Sequence, residues 1–134
     1  MMNVSEVARE AGVTAHTVRY YARVGLLKPQ RDPQSKYKKF ASTDIARLRF
    51  ILRARSLGFK LSEIAEIFRR SALRKTPCPM VREIVERRIV EVSEHLDAVV
   101  ALRERMKRAL AKWKKMPDRV PNGHAVCALI EATD

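Results

Sequence analysis

The sequence is poor in the residues that cross-link chains or interrupt helices. It holds two cysteines and four glycines in 134 residues. Two cysteines are too few for a disulfide framework, so we expect free thiols and a cytoplasmic protein. No apolar run reaches 18 residues and the N-terminus lacks a signal-peptide core, which predicts no transmembrane span. A glycine-rich phosphate loop is missing and no nucleophile–base pair stands out, which argues against an enzyme.

Acidic residues are also scarce relative to basic ones. Lys and Arg number 28 against 15 Asp and Glu, for a formal net charge of +13. Residues 1–60 carry thirteen of the cations and four acids, Glu6, Glu10, Asp32 and Asp44. This concentration predicts a phosphate-binding module in the first half of the chain. The alternative is a basic surface that is merely solvated.

A long apolar stripe follows in the second half. Its members recur at steps of three or four residues and so share one face of a helix. They are Val81, Val85, Ile89, Val92, Leu96, Val99, Leu102, Met106, Leu110 and Trp113. No Gly or Pro interrupts residues 80–115, so we expect one helix roughly 50 Å long. Since no second helix of this length is predicted, the simplest cover for the stripe is the same helix of another copy, which predicts a homodimer.

Two short helices are predicted at the N-terminus. Asn3 and Glu6 have the spacing of a capping box, and Gly12 suits the end of the first helix. Thr14 can cap the second helix, with Val18 turned inward. Helix, short turn and helix form the helix-turn-helix pattern. The basic and aromatic residues of the second helix favour DNA as the ligand: Arg19, Tyr20 and Arg23.

Residues 30–40 combine turn residues with alternating basic and aromatic ones. The pattern predicts a short two-stranded wing beside the helix-turn-helix. Lys36, Lys38 and Lys39 are expected to meet DNA phosphates, with Tyr37 against a sugar. A solvated basic loop is the alternative.

Two more helices are predicted before the long one. Ser42, Thr43 and Asp44 start the third helix, which ends at Gly58. Its predicted inner side is Ile45, Leu48, Leu52 and Leu57. The fourth helix is expected from about Leu61 to Arg70, and residues 71–77 connect it to the long helix.

The order of these motifs resembles the MerR family of bacterial transcriptional regulators, in its metal-sensing branch. The matching stretches are Val4-Ser5-Glu6-Val7-Ala8, Thr17-Val18-Arg19-Tyr20-Tyr21, Gly25-Leu26-Leu27, Lys36-Tyr37-Lys38, Arg47-Leu48-Arg49-Phe50-Ile51 and Leu57-Gly58-Phe59. The resemblance implies a mostly α fold with three parts. Residues 1–72 would form a winged helix-turn-helix DNA-binding domain, and residues 73–115 a connector and dimerisation helix in an antiparallel coiled coil. Residues 116–134 would form an effector-binding loop and a short C-terminal helix.

The resemblance also implies a mechanism. The homodimer would bind double-stranded promoter DNA and, on inducer binding, distort it so that bacterial RNA polymerase initiates. The DNA-binding residues carried over are Thr14, His16, Thr17, Arg19, Tyr20, Lys36, Tyr37 and Lys38. Two positions depart from the family pattern. Ala22 stands where an acid is usual, and Lys36 stands where the wing commonly has Gly, which suggests a differently shaped wing turn.

Cys78 is the first candidate metal ligand. It precedes Pro79, so it is the expected cap of the long helix, where the helix dipole favours a thiolate. Taken by itself, the residue is better explained as an ordinary half-buried cysteine. In the resembling sequences this position is Cys in sensors of divalent ions.

The second group of candidate ligands lies in the tail. Cys127 follows a loop of Pro, Asn and Gly residues, and His124 is three residues before it, although His124 also suits a solvent-facing loop. Met116 occupies the place of a further family cysteine, and Asp118 is another possible replacement. Two thiolates with a nitrogen or oxygen ligand suit zinc, cadmium, lead or mercury as inducer. The resemblance implies that Cys78 comes from one subunit and the tail ligands from the other.

Two other functions remain open for the same fold. One is a thiol-based sensor of oxidants or electrophiles. The other is a DNA-binding regulator without an inducer. Thiol alkylation followed by metal titration separates the first of these from a metal sensor.

Overall fold

The computed structural model describes all 134 residues as six α-helices and one two-stranded sheet. In chain order these are α1 (Val4–Ala11), α2 (Ala15–Arg23), β1 (Gln30–Arg31), β2 (Lys38–Lys39), α3 (Ser42–Ser56), α4 (Leu61–Ala72), α5 (Cys78–Trp113) and α6 (Ala128–Glu131). The chain divides into two compact units, Met1–Val85 and Glu86–Asp134. The mostly α fold with a wing and one long helix is confirmed. None of the helices is both long and apolar enough to cross a membrane.

The start of the first unit follows its local sequence signals. The side chain of Asn3 accepts a hydrogen bond from the Glu6 N–H at 2.9 Å, and Gly12 closes α1 with a φ of 71°. The Thr14 hydroxyl accepts from the Thr17 N–H at 3.1 Å and caps α2. These bonds satisfy N–H groups that a helix end otherwise leaves unpaired. The predicted helix-turn-helix is therefore present.

One hydrophobic core holds the first unit together, and it includes the wing. Its fully buried side chains are Val7, Val18, Leu27, Phe40, Leu48, Ile51 and Ile64. Phe40 directly follows β2 and exchanges two backbone hydrogen bonds with Met2, at 2.7 and 2.8 Å. The wing strand is thus tied to the residues that precede α1.

Asp44 is the one charged residue in the buried set of this core. Its carboxylate accepts from the backbone N–H of Ala41 and from that of Lys28, each at 3.1 Å. The first bond caps α3, and the second holds the strand-side loop that follows α2. A buried carboxylate is stable here because both oxygens are bonded.

Replacing Asp44 with Ala is expected to lower the free energy of unfolding by about 2 kcal/mol, because two partly buried N–H groups lose their acceptor. Urea denaturation followed by circular dichroism measures the change. Thr43→Ala, at an exposed neighbouring position of the same helix turn, serves as the control and should change stability by less than about 0.5 kcal/mol. Equal stabilities of the two variants would contradict this role of Asp44.

The predicted inner side of α3 was wrong at Leu57, whose side chain is 67% exposed. The helix ends at Ser56, and Gly58, with a φ of 86°, reverses the chain direction. Phe59 enters the core instead and is 3% exposed. A left-handed residue changes the helical periodicity, so the apolar spacing could not be extrapolated through it.

The long helix α5 starts at Cys78, one residue earlier than expected if Cys78 were the cap residue. Cys78 is its first residue, and the Val81 N–H donates to the Pro77 carbonyl at 2.9 Å. The Thr76 hydroxyl accepts from the Cys78 N–H at 3.3 Å. The prediction of Cys78 as the cap residue was therefore wrong by one position, because Thr76 and Pro77 make the first-turn contacts.

The apolar stripe of α5 is partly covered at its two ends and uncovered between them, since Trp113 at its end is half-buried. Val81, Ile84 and Val85 pack with the core of the first unit. From Ile89 to Leu110 the stripe residues are all exposed, between 41% and 60% in the single chain. Seven large apolar side chains in one line form a patch larger than monomeric proteins usually leave in water.

The tail after α5 is held by hydrogen bonds within itself and to the end of α5. The Asn122 side chain accepts from the N–H groups of His124 and Ala125, at 2.8 and 2.9 Å. Lys112 donates from Nζ to the Ala132 carbonyl at 2.8 Å, which fixes the end of the tail to α5. The predicted loop and short C-terminal helix are present, with α6 spanning Ala128–Glu131.

Candidate nucleic-acid interface and thiol site

A basic cleft lies between the start of α1, helix α2 and the wing. Its volume is about 690 Å³, and its lining residues are Asn3, Val4, Ser5, Arg19, Arg23, Arg31, Lys36, Tyr37, Lys38 and Lys39. Six of these residues are cations and none is an acid. Such a concentration of positive charge favours a phosphate backbone as the ligand.

Four of the predicted DNA-binding residues line this cleft: Arg19, Lys36, Tyr37 and Lys38. The other four lie outside its lining. The hydroxyl groups of Thr14 and Thr17 are 3.0 Å apart at the start of α2, and His16 is exposed. Tyr20 packs against Tyr21 with 5.5 Å between ring centroids, and the Arg23 guanidinium lies 5.4 Å from the Tyr20 ring centroid. DNA contact by each of these residues remains a prediction.

Arg31 and Ser5 also line the cleft, although neither is among the predicted DNA-binding residues. Arg31 pairs with Lys38 across the antiparallel strands, so both belong to one cross-strand position. The hairpin register would have identified Arg31, because opposite residues of a pair project to the same face. Ser5 carries no such signal, since its place in the cleft depends on the packing of α1 beside the wing.

The wing turn is organised around Asp32. Its backbone N–H donates to the Tyr37 carbonyl, and its carbonyl accepts from the Lys36 N–H, at 2.9 and 2.8 Å. Its carboxylate accepts from the Gln34 N–H at 2.9 Å, and this bond is the main reason that the pKa of Asp32 is lowered. Lys36 has a φ of 62°, a left-handed conformation that Gly adopts more readily than Lys. The turn therefore carries a cation at its left-handed position, where the resemblance implied a glycine.

Replacing Arg19 with Ala is expected to weaken binding to specific and random duplexes alike. The side chain lies among cations of the cleft, and a lost phosphate contact reduces the slope of log K against log salt by about 1. Fluorescence anisotropy at several salt concentrations measures both quantities.

Arg9→Ala provides the charge-matched control, since Arg9 is exposed on α1 and does not line the cleft. Its salt slope should stay close to that of the wild type. If Arg19→Ala lost discrimination at one base pair and kept its non-specific affinity, Arg19 would be a base-reading residue instead.

Both cysteines are free, Cys78 exposed and Cys127 half-buried. His124 and Asp118 are exposed, and Met116 is half-buried. No three His, Cys, Asp or Glu side chains of the single chain come together as a metal site. Two accessible thiols suit a thiophilic divalent ion. The predicted ligand set takes its members from two subunits, so it remains a prediction.

The comparisons with known proteins agree on one family. The family described as MerR HTH family regulatory protein matches residues 2–71, and the family described as MerR, DNA binding matches residues 45–109. The HTH-type transcriptional regulator HmrR of Rhizobium leguminosarum bv. viciae is 30% identical over 102 residues, which are 76% of this chain and 78% of that protein. The mercuric resistance operon regulatory protein of Shigella flexneri is 32% identical over 95 residues, 71% of this chain and 65% of that protein.

A solved structure has the same fold. The transcription regulator PbrR691 from Ralstonia metallidurans CH34, in complex with lead(II), superposes with a TM-score of 0.76 at 21% identity and covers 98% of each chain. The winged helix-turn-helix, the basic cleft and these matches lead to one conclusion. The chain belongs to the MerR family of DNA-binding transcriptional regulators.

Proposed function

We propose that this protein is a homodimeric, metal-responsive activator of transcription. The observation that carries the proposal is a free, exposed thiol, that of Cys78, at the start of a long helix whose apolar stripe has no cover within the chain from Ile89 to Leu110. Its relatives include a regulator of a mercuric resistance operon. The inducer would be a divalent ion of zinc, cadmium, lead or mercury.

Promoter DNA would bind to the basic cleft. In a dimer two clefts would contact the DNA backbone, with α2 in the major groove as in other helix-turn-helix dimers. The positive charge of Arg19, Arg31 and Lys38 supports the backbone contact. The base contacts would then come from the exposed start of α2, around His16.

The second subunit would bind along α5. An exposed stripe of seven large apolar side chains is the kind of surface that obligate dimers bury. Two α5 helices packed antiparallel would cover each other from Ile89 to Leu110 and bring the start of each helix near the tail of its partner. The metal site would thus form only in the dimer.

The metal ligands would be Cys78 of one subunit with Cys127 and His124 of the other. Asp118 and Met116 of the tail are further candidate ligands. A bound ion would replace solvent at both thiols and fix the tail loop against the start of the partner's α5. The start of α5 immediately follows the connector from the DNA-binding domain. Ordering the tail loop there would therefore change the orientation of that domain. Distorting DNA by tens of degrees costs a few kcal/mol, which a tightly bound ion can supply. Bacterial RNA polymerase would then initiate at the reshaped promoter.

Thiol alkylation followed by metal titration tests this function. The reduced wild type should bind one of the four ions more tightly than micromolar, and alkylation should abolish both binding and activation in an in vitro transcription assay. Since both cysteines are accessible and free, a thiol-based oxidant sensor is the second candidate. Activation by oxidant in the absence of metal would favour that candidate.

A further inference from the structure

Charge is distributed unevenly along α5 and its continuation. Residues 105–115 hold six Lys or Arg and no acid, while residues 83–94 hold four Glu and two Arg. The helix dipole favours cations near a C-terminus, but this effect is confined to the last turn. Packed helices lie about 8–10 Å apart, which is comparable to the screening length of about 8 Å at physiological salt. A parallel pair would therefore place two strongly basic segments side by side, and an antiparallel pair would place each one beside an acidic segment.

Two charged residues beside the apolar stripe follow this polarity. Glu86 follows the stripe residue Val85, and Lys107 follows the stripe residue Met106. Glu86 and Lys107 are 21 residues apart, which is three heptads, so in a coiled coil they would occupy the same heptad position on one line along the helix. The residues between them at the same spacing are Ser93 and Val100, which are uncharged.

The two charged ends of this line are available for a partner. Glu86 is exposed and forms no ion pair or hydrogen bond within its chain. Lys107 has one ion pair, to Glu104 at 3.8 Å, and both side chains are about half exposed or more. Such a pair is weak in water and is easily exchanged for another partner.

We propose that Glu86 of each subunit pairs with Lys107 of the second copy and that these two pairs fix the antiparallel register of α5. The inference rests on the dimer proposed above and adds the residues that orient it. In this register residue 78 is level with residue 115 of the second copy, so each Cys78 lies beside the start of the other tail, residues 116–134. The same charges that orient the helices would thereby bring the metal ligands of the two chains together.

Charge exchange tests the pairing. Glu86→Lys and Lys107→Glu should each weaken self-association by roughly tenfold at low salt, because each creates two like-charge contacts per dimer. A mixture of the two variants should form mainly heterodimers, in which both contacts are again of opposite charge. The double variant should dimerise like the wild type. Native mass spectrometry with one variant mass-tagged measures the proportions, and sedimentation equilibrium measures the dissociation constants.

Glu94→Lys is the matched control, since Glu94 is exposed, has no ion pair in the chain and follows Val92 by two residues, on the side of α5 away from the stripe. It makes the same charge change and should dimerise like the wild type. At 1 M salt, where the screening length falls to about 3 Å, all variants should become equal. If the wild type is a dimer but the two variants mix statistically and have the same dissociation constant as Glu94→Lys, the proposed pairing is wrong and the proposed dimer stands. A monomeric wild type would overturn the proposed dimer and the pairing with it.

Discussion

Replacing Cys78 with Ser should abolish transcriptional induction by zinc, cadmium, lead and mercury and leave promoter binding unchanged. A serine hydroxyl stays protonated near neutral pH and is a poor ligand for thiophilic ions, so the ion loses a ligand from one whole subunit. DNA binding should persist because the basic cleft lies between α1, α2 and the wing, and its lining does not include Cys78. In vitro transcription with each metal measures induction, and a gel shift measures promoter binding.

Two further variants define the ligand set. Cys127→Ser should have an effect similar to that of Cys78→Ser, whereas His124→Ala should reduce metal affinity by less than either. Should the variant lacking both cysteines still activate its promoter with added metal, the proposed site is wrong. If no metal binds the reduced wild type more tightly than micromolar, Met116 has replaced an essential ligand, and a thiol sensor or an inducer-independent regulator is preferred.

Replacing Val92 or Val99 with Asp should convert the protein to a monomer. Both side chains belong to the uncovered stripe of α5 and are 60% and 48% exposed in the single chain. In a dimer each would be buried against the second copy, and a buried unpaired carboxylate costs about 3–5 kcal/mol. Dimer affinity should therefore fall by at least about a hundredfold. Sedimentation velocity at micromolar concentration measures the loss.

Ala101→Asp is the control for this change. Ala101 is exposed and follows Val99 by two residues, so the same side chain is introduced on the opposite side of the helix. This variant should remain a dimer. A wild-type protein that sediments as a monomer without DNA or metal would overturn the proposed dimer.

The predictions from sequence were most accurate where a local interaction decides the structure. Asn3, Gly12 and Thr14 act through hydrogen bonds or backbone angles within three or four residues, so their roles can be read directly from spacing. The predicted helix of residues 80–115 lacks Gly and Pro, and α5 spans Cys78–Trp113. Its apolar period needs no tertiary contact to be recognised.

The errors arose where one residue breaks the periodicity. Gly58 reverses the chain after α3, so Phe59 rather than Leu57 reaches the core. At the start of α5, Thr76 and Pro77 accept the hydrogen bonds of the first turn, so Cys78 is the first helical residue and not the cap. Buried position and cap identity depend on backbone angles that composition alone does not specify.

By itself, the sequence determined the helix-turn-helix, the long helix with its apolar stripe, the excess of positive charge and the presence of free thiols. Each of these properties follows from local spacing or from residue type. Only the tertiary structure decided which cations share one cleft: it brings Arg31 and Ser5 beside Arg19, and it excludes Thr14 and Thr17 from the lining. It also decided that Val81 and Val85 pack on the first unit while the stripe beyond them stays uncovered. The physical reason is that a cleft and a covered surface are defined by contacts between elements distant in sequence, which no local pattern encodes.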